Sequence, residues 1–262
     1  MTTKGAILGT IMVLLMGFIL LPIIIPIGIS FSDTPFVVFP PKGFTLRWYA
    51  KVLSDPEVIA SFWLSLKLAV SVCIMSLMLG TAASLALTRH RFVGRSVIQG
   101  FLLSPLIFPA LVTGIALLQF FSTLNSNWTF AHLLIGHVVI TIPYVVRSVS
   151  ASLLQNDPSL EEAARTLGAP PIYTFIHVTV PQIAPGLLAG AILSFVVSFD
   201  NYSVSMWLTD AEHTPIPMLV IRFIIRFFDP SVAALSSLMI LVAIAIIITV
   251  EKLLGLQKFM GV

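Results

Sequence analysis

Thiol chemistry is almost absent from this sequence. Its one cysteine, Cys73, stands inside an apolar run, which excludes a disulfide framework and a cysteine-based metal site. Charge is scarce as well. Asp, Glu, Lys and Arg supply 10% of the 262 residues, against about 25% in soluble domains. With 58% hydrophobic residues and a mean hydropathy of +1.05, the composition is that of an integral membrane protein. The net charge of +3 comes from basic residues dispersed at the ends of apolar runs. It therefore bears on loop topology and not on nucleic-acid binding.

Enzymatic motifs are missing too. There is no GxxxxGK[ST] loop to cradle phosphates, no HExxH and no GxSxG elbow. His90, His132, His137, His177 and His213 include no i, i+4 pair of the kind that holds a metal on one helix face. Each reads as an interfacial or packed histidine, and the serines within the apolar runs read as helix–helix hydrogen-bonding groups. An internal repeat and a low-complexity tract are also lacking, so residues 1–262 read as a single domain.

What the chain does have is apolar length. A span needs about 20 apolar residues, and six stretches qualify: 6–30, 60–87, 97–121, 130–153, 183–208 and 232–254. The first follows Lys4, yet it is too long for a signal-peptide core and has no small-residue cleavage site before Pro22 and Pro26, so it reads as a retained span. Lys67 lies inside the second, either snorkelling to the nearer surface or facing the bundle interior. With the N-terminus cytoplasmic, that side carries eight basic residues against five outside, the clearest contribution being the tight Arg89, Arg91, Arg95 loop. Six spans then place both termini and the 157–181 stretch inside. Outside, Leu46-Arg47-Trp48-Tyr49 reads as an interfacial helix with aromatic anchors. The segment Ile221-Arg222-Phe223-Ile224-Ile225-Arg226-Phe227-Phe228, with its arginines four apart, reads as a short helix on the membrane surface.

One acidic residue falls within a span. Asp200, in Ser198-Phe199-Asp200-Asn201-Tyr202, lies about 25 Å along the fifth apolar stretch at the helical rise per residue. Ionisable groups there are costly unless they face water or a partner. Asp200 thus either lines a path, where it favours a cationic or amine-bearing solute, or sits at the outer boundary or beside an arginine for structure.

The 157–181 stretch interrupts the oily sequence with what reads as a built helix. Asp157 caps it, Pro158 suits its first turn, and Glu161 and Glu162 complement the positive end of its dipole. Ala163, Ala164 and Leu167 propagate it, and Gly168 ends it before Pro170 and Pro171. Glu162-Ala163-Ala164, three residues, Gly168, nine residues and Val178-x-Val180-Pro181 resemble the EAA-x3-G-x9-I-x-L-P loop of ABC-importer permeases, with valines where Ile and Leu are usual. Gly43-Phe44-Thr45-Leu46-Arg47-Trp48-Tyr49, Ser65-Leu66-Lys67, Leu103-Ser104-Pro105-Leu106-Ile107-Phe108-Pro109 and the Ser198–Tyr202 segment are similar to the second permease of spermidine/putrescine-type importers.

The resemblance implies an all-α type I ABC importer (MetI-like) permease fold of six transmembrane helices in a bacterial inner membrane. It implies a cytoplasmic coupling loop at 155–181. Leu160, Glu161, Glu162, Ala163, Ala164, Gly168 and Pro181 would couple to an ATPase, and Asp200, Asn201 and Tyr202 would line the solute path. The implied partners are a second permease, two cytoplasmic ATPase subunits, a periplasmic solute-binding protein and lipid. ATP and Mg would be bound by the ATPases, with no cofactor or catalytic residue in this chain. The implied cargo is a small, amine-bearing solute. An ATP-independent secondary transporter or channel is the alternative; it would show repeated halves with broken helices, which are not evident here.

Overall fold

The computed structural model describes residues 3–227 and 229–254; Phe228 and Lys258 lie outside them. The described residues are helical throughout, with no strand. The helices are α1 (Thr3–Ser30), α2 (Arg47–Leu53), α3 (Pro56–Arg89), α4 (Arg95–Leu103), α5 (Ala110–Thr123), α6 (Thr129–Gln155), α7 (Ser159–Thr166), α8 (Pro171–Thr174), α9 (Val180–Gln182), α10 (Ala184–Phe199), α11 (Ser205–Leu208), α12 (Ile216–Arg226) and α13 (Ser231–Leu254). In hydrocarbon every backbone polar group must be satisfied within the chain, and helices do this locally. The chain packs as two compact units, residues 1–60 with 219–244, and residues 61–218 with 245–262.

In the first unit, α1 exposes every side chain from Leu8 to Ile24, an apolar surface suited to lipid or a partner. Its end is pinned by the following loop. The Ser32 carbonyl accepts the Trp48 indole N–H at 2.8 Å, and the Ser30 and Tyr49 hydroxyls are 2.7 Å apart. Trp48 is consequently buried inside the unit and is not the exposed interfacial anchor expected from its sequence neighbours. The loop folded over α2 claims its only polar atom before a headgroup can. Ion pairs close the unit: Arg47 with Asp33 at 3.0 Å, Lys51 with Asp229 at 2.7 Å, and Arg222 with Glu57. The surface helix expected at 221–228 begins earlier, at Ile216.

In the second unit, α6 is the axis, burying eleven residues from Leu133 to Leu153. Small residues let its neighbours approach closely. A Cβ on Gly186 of α10 would lie 2.7 Å from the Ser148 carbonyl oxygen, and one on Gly80 of α3 would lie 2.7 Å from the Val145 side chain. Hydroxyls stitch the same faces: Ser76 and Thr141 meet at 2.7 Å, and Ser84 donates to the Val146 carbonyl at 3.2 Å.

Two expected spans are broken. α4, ending in a 3-10 turn at Ser104–Leu106, meets α5 at 106°; the helix Pro171–Gln182 meets α10 at 75°. Counting each bent pair as one span with the four long apolar helices gives six. The sequence reading took 97–121 and 183–208 as continuous. Pro105 and Pro109 lie at the first bend, and Pro181 and Pro185 flank the second, at the entry to the 183–208 stretch; each removes a backbone donor and its ring crowds the preceding turn. α10 itself ends at Phe199 with no proline nearby, and Asp200 is its C-terminal cap and not an interior helical residue.

Gly186→Val should overpack α6 against α10 and destabilise the fold by about 1–3 kcal/mol. Gly17→Val on α1, where a Cβ meets nothing within 4 Å, should leave it unchanged. Thermal unfolding of the purified variants in detergent checks the contrast; equal midpoints would refute this packing.

Candidate functional site

The 157–181 stretch folds largely as local chemistry dictates. Asp157 Oδ1 accepts the Ser159 backbone N–H at 2.9 Å, so the helix begins at Ser159, with Pro158 at its N-terminal boundary. That bond and one from the Ser159 hydroxyl hold the Asp157 carboxyl below its ordinary value. Glu161 and Glu162 lie in the first turn and Arg165 in the last, each complementing the helix dipole. At the other end Gly168 has φ +88°, the left-handed conformation that only glycine adopts freely. The Ala169 N–H bonds back to the Ala164 carbonyl at 3.0 Å, closing the last turn.

The resulting knob packs only shallowly, against the helical stretch that follows it. α7 buries none of its residues, and Leu160, Glu162, Ala163, Leu167 and Gly168 are all exposed, Leu167 by 88%. Two contacts hold it to the spans. The Asn156 amide donates to the carbonyls of Ser152 and Gln182, both at 2.9 Å, clamping the base of the stretch. Arg89, the last residue of α3, donates to Glu161 at 2.9 Å, with side chains only 20% and 13% exposed. Arg89 Nε is buried without a partner among the described residues. The second half of the expected loop is helical: α8, a π turn at Phe175–Thr179 and α9. Pro181 sits exposed in α9, and its missing N–H and bulky ring follow directly on the π turn, which relaxes the i→i−4 ladder there.

Asp200, Asn201 and Tyr202 lie at the far end of α10, about 24 Å of helical rise from its start. Asn201 Oδ1 accepts the Val204 N–H at 2.8 Å, and the Asn201 carbonyl accepts the Ser205 hydroxyl at 2.6 Å, which shape the turn into α11. Tyr202 is half-buried. The Asp200 carboxylate is exposed and has no hydrogen bond or ion pair among the described residues, so no arginine neutralises it there.

What sequence reasoning did not find is the support beneath this turn. His137, fully buried on α6, has Nδ1 2.9 Å from the Ser198 hydroxyl and Nε2 3.0 Å from the Ser205 hydroxyl. It ties the end of α10 to the start of α11, bracketing Asp200, Asn201 and Tyr202. The seven-residue interval between the two serines was the available signal. Lys67, meanwhile, is exposed and lies over the Phe130 ring at 4.8 Å. No group of three or more metal-ligating side chains occurs among the described residues.

A bundle of apolar spans, interrupted beside an unpaired carboxylate and ending opposite in a lightly packed helix with an exposed face, defines a membrane permease. The family described as "Binding-protein-dependent transport system inner membrane component" matches residues 74–256, so the chain belongs to that family and is a multi-pass inner-membrane protein. Among similar proteins, the putrescine transport system permease protein PotI of Escherichia coli (strain K12) is 32% identical over 88% of this chain and 85% of its own length. The spermidine/putrescine transport system permease protein PotC of the same organism is 28% identical, covering 97% and 95%. The sulfate transport system permease protein CysT of Salmonella typhimurium is 28% identical over 78% and 79%. Among solved structures, a bacterial alginate ABC transporter in complex with alginate pentasaccharide-bound periplasmic protein superposes with a TM-score of 0.72 at 13% identity, covering 95% of this chain and 92% of that one. An amino acid ABC transporter superposes with a TM-score of 0.58 at 18% identity, covering 82% and 99%. These likenesses establish the MetI-like permease fold.

His137→Leu should leave the Ser198 hydroxyl without its buried partner, at a cost of about 1–2 kcal/mol. The expected readout is a lower unfolding midpoint together with faster hydrogen exchange confined to residues 199–205. Unchanged exchange in that turn would show that the histidine does not hold it.

Proposed function

We propose that this chain is one of two permease subunits of an ATP-driven, binding-protein-dependent ABC importer that carries a small, amine-bearing solute of the polyamine class. Its termini and the 157–181 stretch face the cytoplasm. Two ATPase subunits bind ATP and Mg there, and a periplasmic protein delivers the solute to the opposite face. The chain itself supplies a path and a mechanical link, with no catalytic residue and no bound nucleotide or metal.

The observation that carries this reading is the α7 knob, whose Glu162, Ala163 and left-handed Gly168 are exposed and whose Ala164 is half-buried. Leu160, Ala163 and Ala164 offer a narrow apolar face that can seat in a groove, and Glu161, Glu162 and Pro181 lie around it. Closure of the ATPases on ATP displaces α7, and the stiff connections at Asn156 and Arg89–Glu161 pass that displacement to α6 and α3. Packed helices move as bodies and do not deform continuously, which lets a small shift at one end rearrange the other. There Asp200, Asn201 and Tyr202 line the solute path. The unpaired Asp200 carboxylate supports a cationic cargo, in keeping with what the names of PotI and PotC say those proteins carry.

Two measurements test this. Gly168→Asp forces a side chain into the left-handed turn and puts charge on the docking face, so it should abolish uptake while the protein still inserts; near-normal uptake would count against the reading. For the link, Arg89→Glu or Glu161→Arg alone leaves like charges half-buried, and uptake should fall on the order of tenfold with ATPase subunits still co-purifying. The double exchange should restore it. Normal transport in both single variants would remove the ion pair from the linkage.

A further inference from the structure

A polar cavity lies at the opposite end of α6 from α7, about 40 Å away by helical rise. It holds about 520 Å³ and is walled by the end of α5, the turn into α6, and residues Trp207 to Asp210. That volume is within the usual range for small-ligand sites. Its walls are polar and aromatic, and no lysine or arginine lines it.

The cavity's one carboxylate is built into place. Asp210 Oδ1 accepts the backbone N–H groups of Glu212 at 2.9 Å and His213 at 2.6 Å. Desolvation pushes the Asp210 carboxyl up, but hydrogen bonds from the Thr129 hydroxyl, His213 and Glu212 prevail and hold it at about 2. It is therefore an anion across the physiological range. His213 Nδ1 lies 3.0 Å from Oδ1 and 3.2 Å from Oδ2; with both backbone amides on Oδ1, Oδ2 keeps acceptor capacity free. Three rings complete the walls. His132 stacks on Phe121 with centroids 4.1 Å apart and is fixed by the Ser126 hydroxyl at 2.7 Å from Nε2; Trp207 lies beside them.

A fixed carboxylate, ring faces, neutral amides and hydroxyls, and no lining lysine or arginine form a site for an organic cation. The carboxylate takes the charged N–H groups and the rings take the alkyl body and the face of the ammonium. An anion such as sulfate would meet repulsion and no compensating donor of positive charge. From this geometry we propose that the cavity binds an alkylammonium group and serves as a receiving site for the solute before it reaches Asp200. The choice of ligand rests on the amine-solute reading above, while the site itself rests on the cavity.

The test uses the whole transporter with its partner subunits in lipid nanodiscs, without the binding protein, in an Asp200→Asn background that silences the other carboxylate. Calorimetry with n-butylammonium and 1,4-diaminobutane should show binding, and butyrate should show none. Asp210→Asn should weaken the amines on the order of tenfold, and Asn127→Asp, which adds a second carboxylate to the lining, should tighten them. Equal amine affinity in all three proteins, or equal binding of butyrate, overturns the proposal. The ammonium could instead be a lysine side chain of the docked binding protein. Weaker docking of the ligand-free binding protein to Asp210→Asn, with free-amine binding unaltered, would assign it so and overturn the receiving site. If the unaltered complex imports no diamine yet binds n-butylammonium through Asp210, the solute reading falls and the site stands.

Discussion

A helix that stops inside hydrocarbon exposes backbone carbonyls and amides that lipid cannot satisfy. Much of this architecture answers that constraint. The third span breaks at Pro105 and Pro109, and the fifth stops at Phe199, where a neighbouring helix supports it. At the end of α10 the support is the buried imidazole of His137, which reaches a serine on either side of the break, while Asn201 closes the turn between them. Because those groups carry the backbone through the interruption, Asp200 is left with no structural task. An unneutralised carboxylate can then face a wet path without weakening the bundle.

The same logic explains the opposite end. α7 is begun by the Asp157 cap and terminated at Gly168, and it packs only shallowly on the helical stretch that follows. A helix so lightly packed keeps its outward apolar face free for another chain. Its rigidity relative to the spans comes from two polar contacts, the Asn156 clamp and the Arg89–Glu161 pair. Both are half-buried, so solvent screens them less than it would an exposed pair. A partner's motion at α7 would be delivered to α6 and α3 and not lost in a flexible loop.

The family includes relatives named for putrescine, spermidine and sulfate, cargoes of opposite charge, so the fold says nothing about the sign of the solute. That information has to come from individual side chains. In this chain the unpaired carboxylate at Asp200 and the fixed carboxylate at Asp210 both have the sign that attracts a cation.

Apolar length showed the membrane spans, and the caps of α7 could be read directly, because both depend on residues within one or two turns. The prolines in spans three and five were visible too, but hydropathy averages over them and does not register a bend of 106° or 75°. Trp48 carried the pattern of an interfacial anchor, and only the fold of residues 31–46 over α2 buried it. Arg89 and Glu161 are 72 positions apart, and His137 and Ser198 are 61 apart. Hydrogen bonds and ion pairs have ranges of a few ångströms, and sequence patterns report neighbours along the chain. By itself, then, the sequence determined the spans, the α7 knob and the chemistry available at Asp200. Tertiary structure alone decided which distant groups meet, since only the packing of α6 against α3 and α10 brings them within bonding distance.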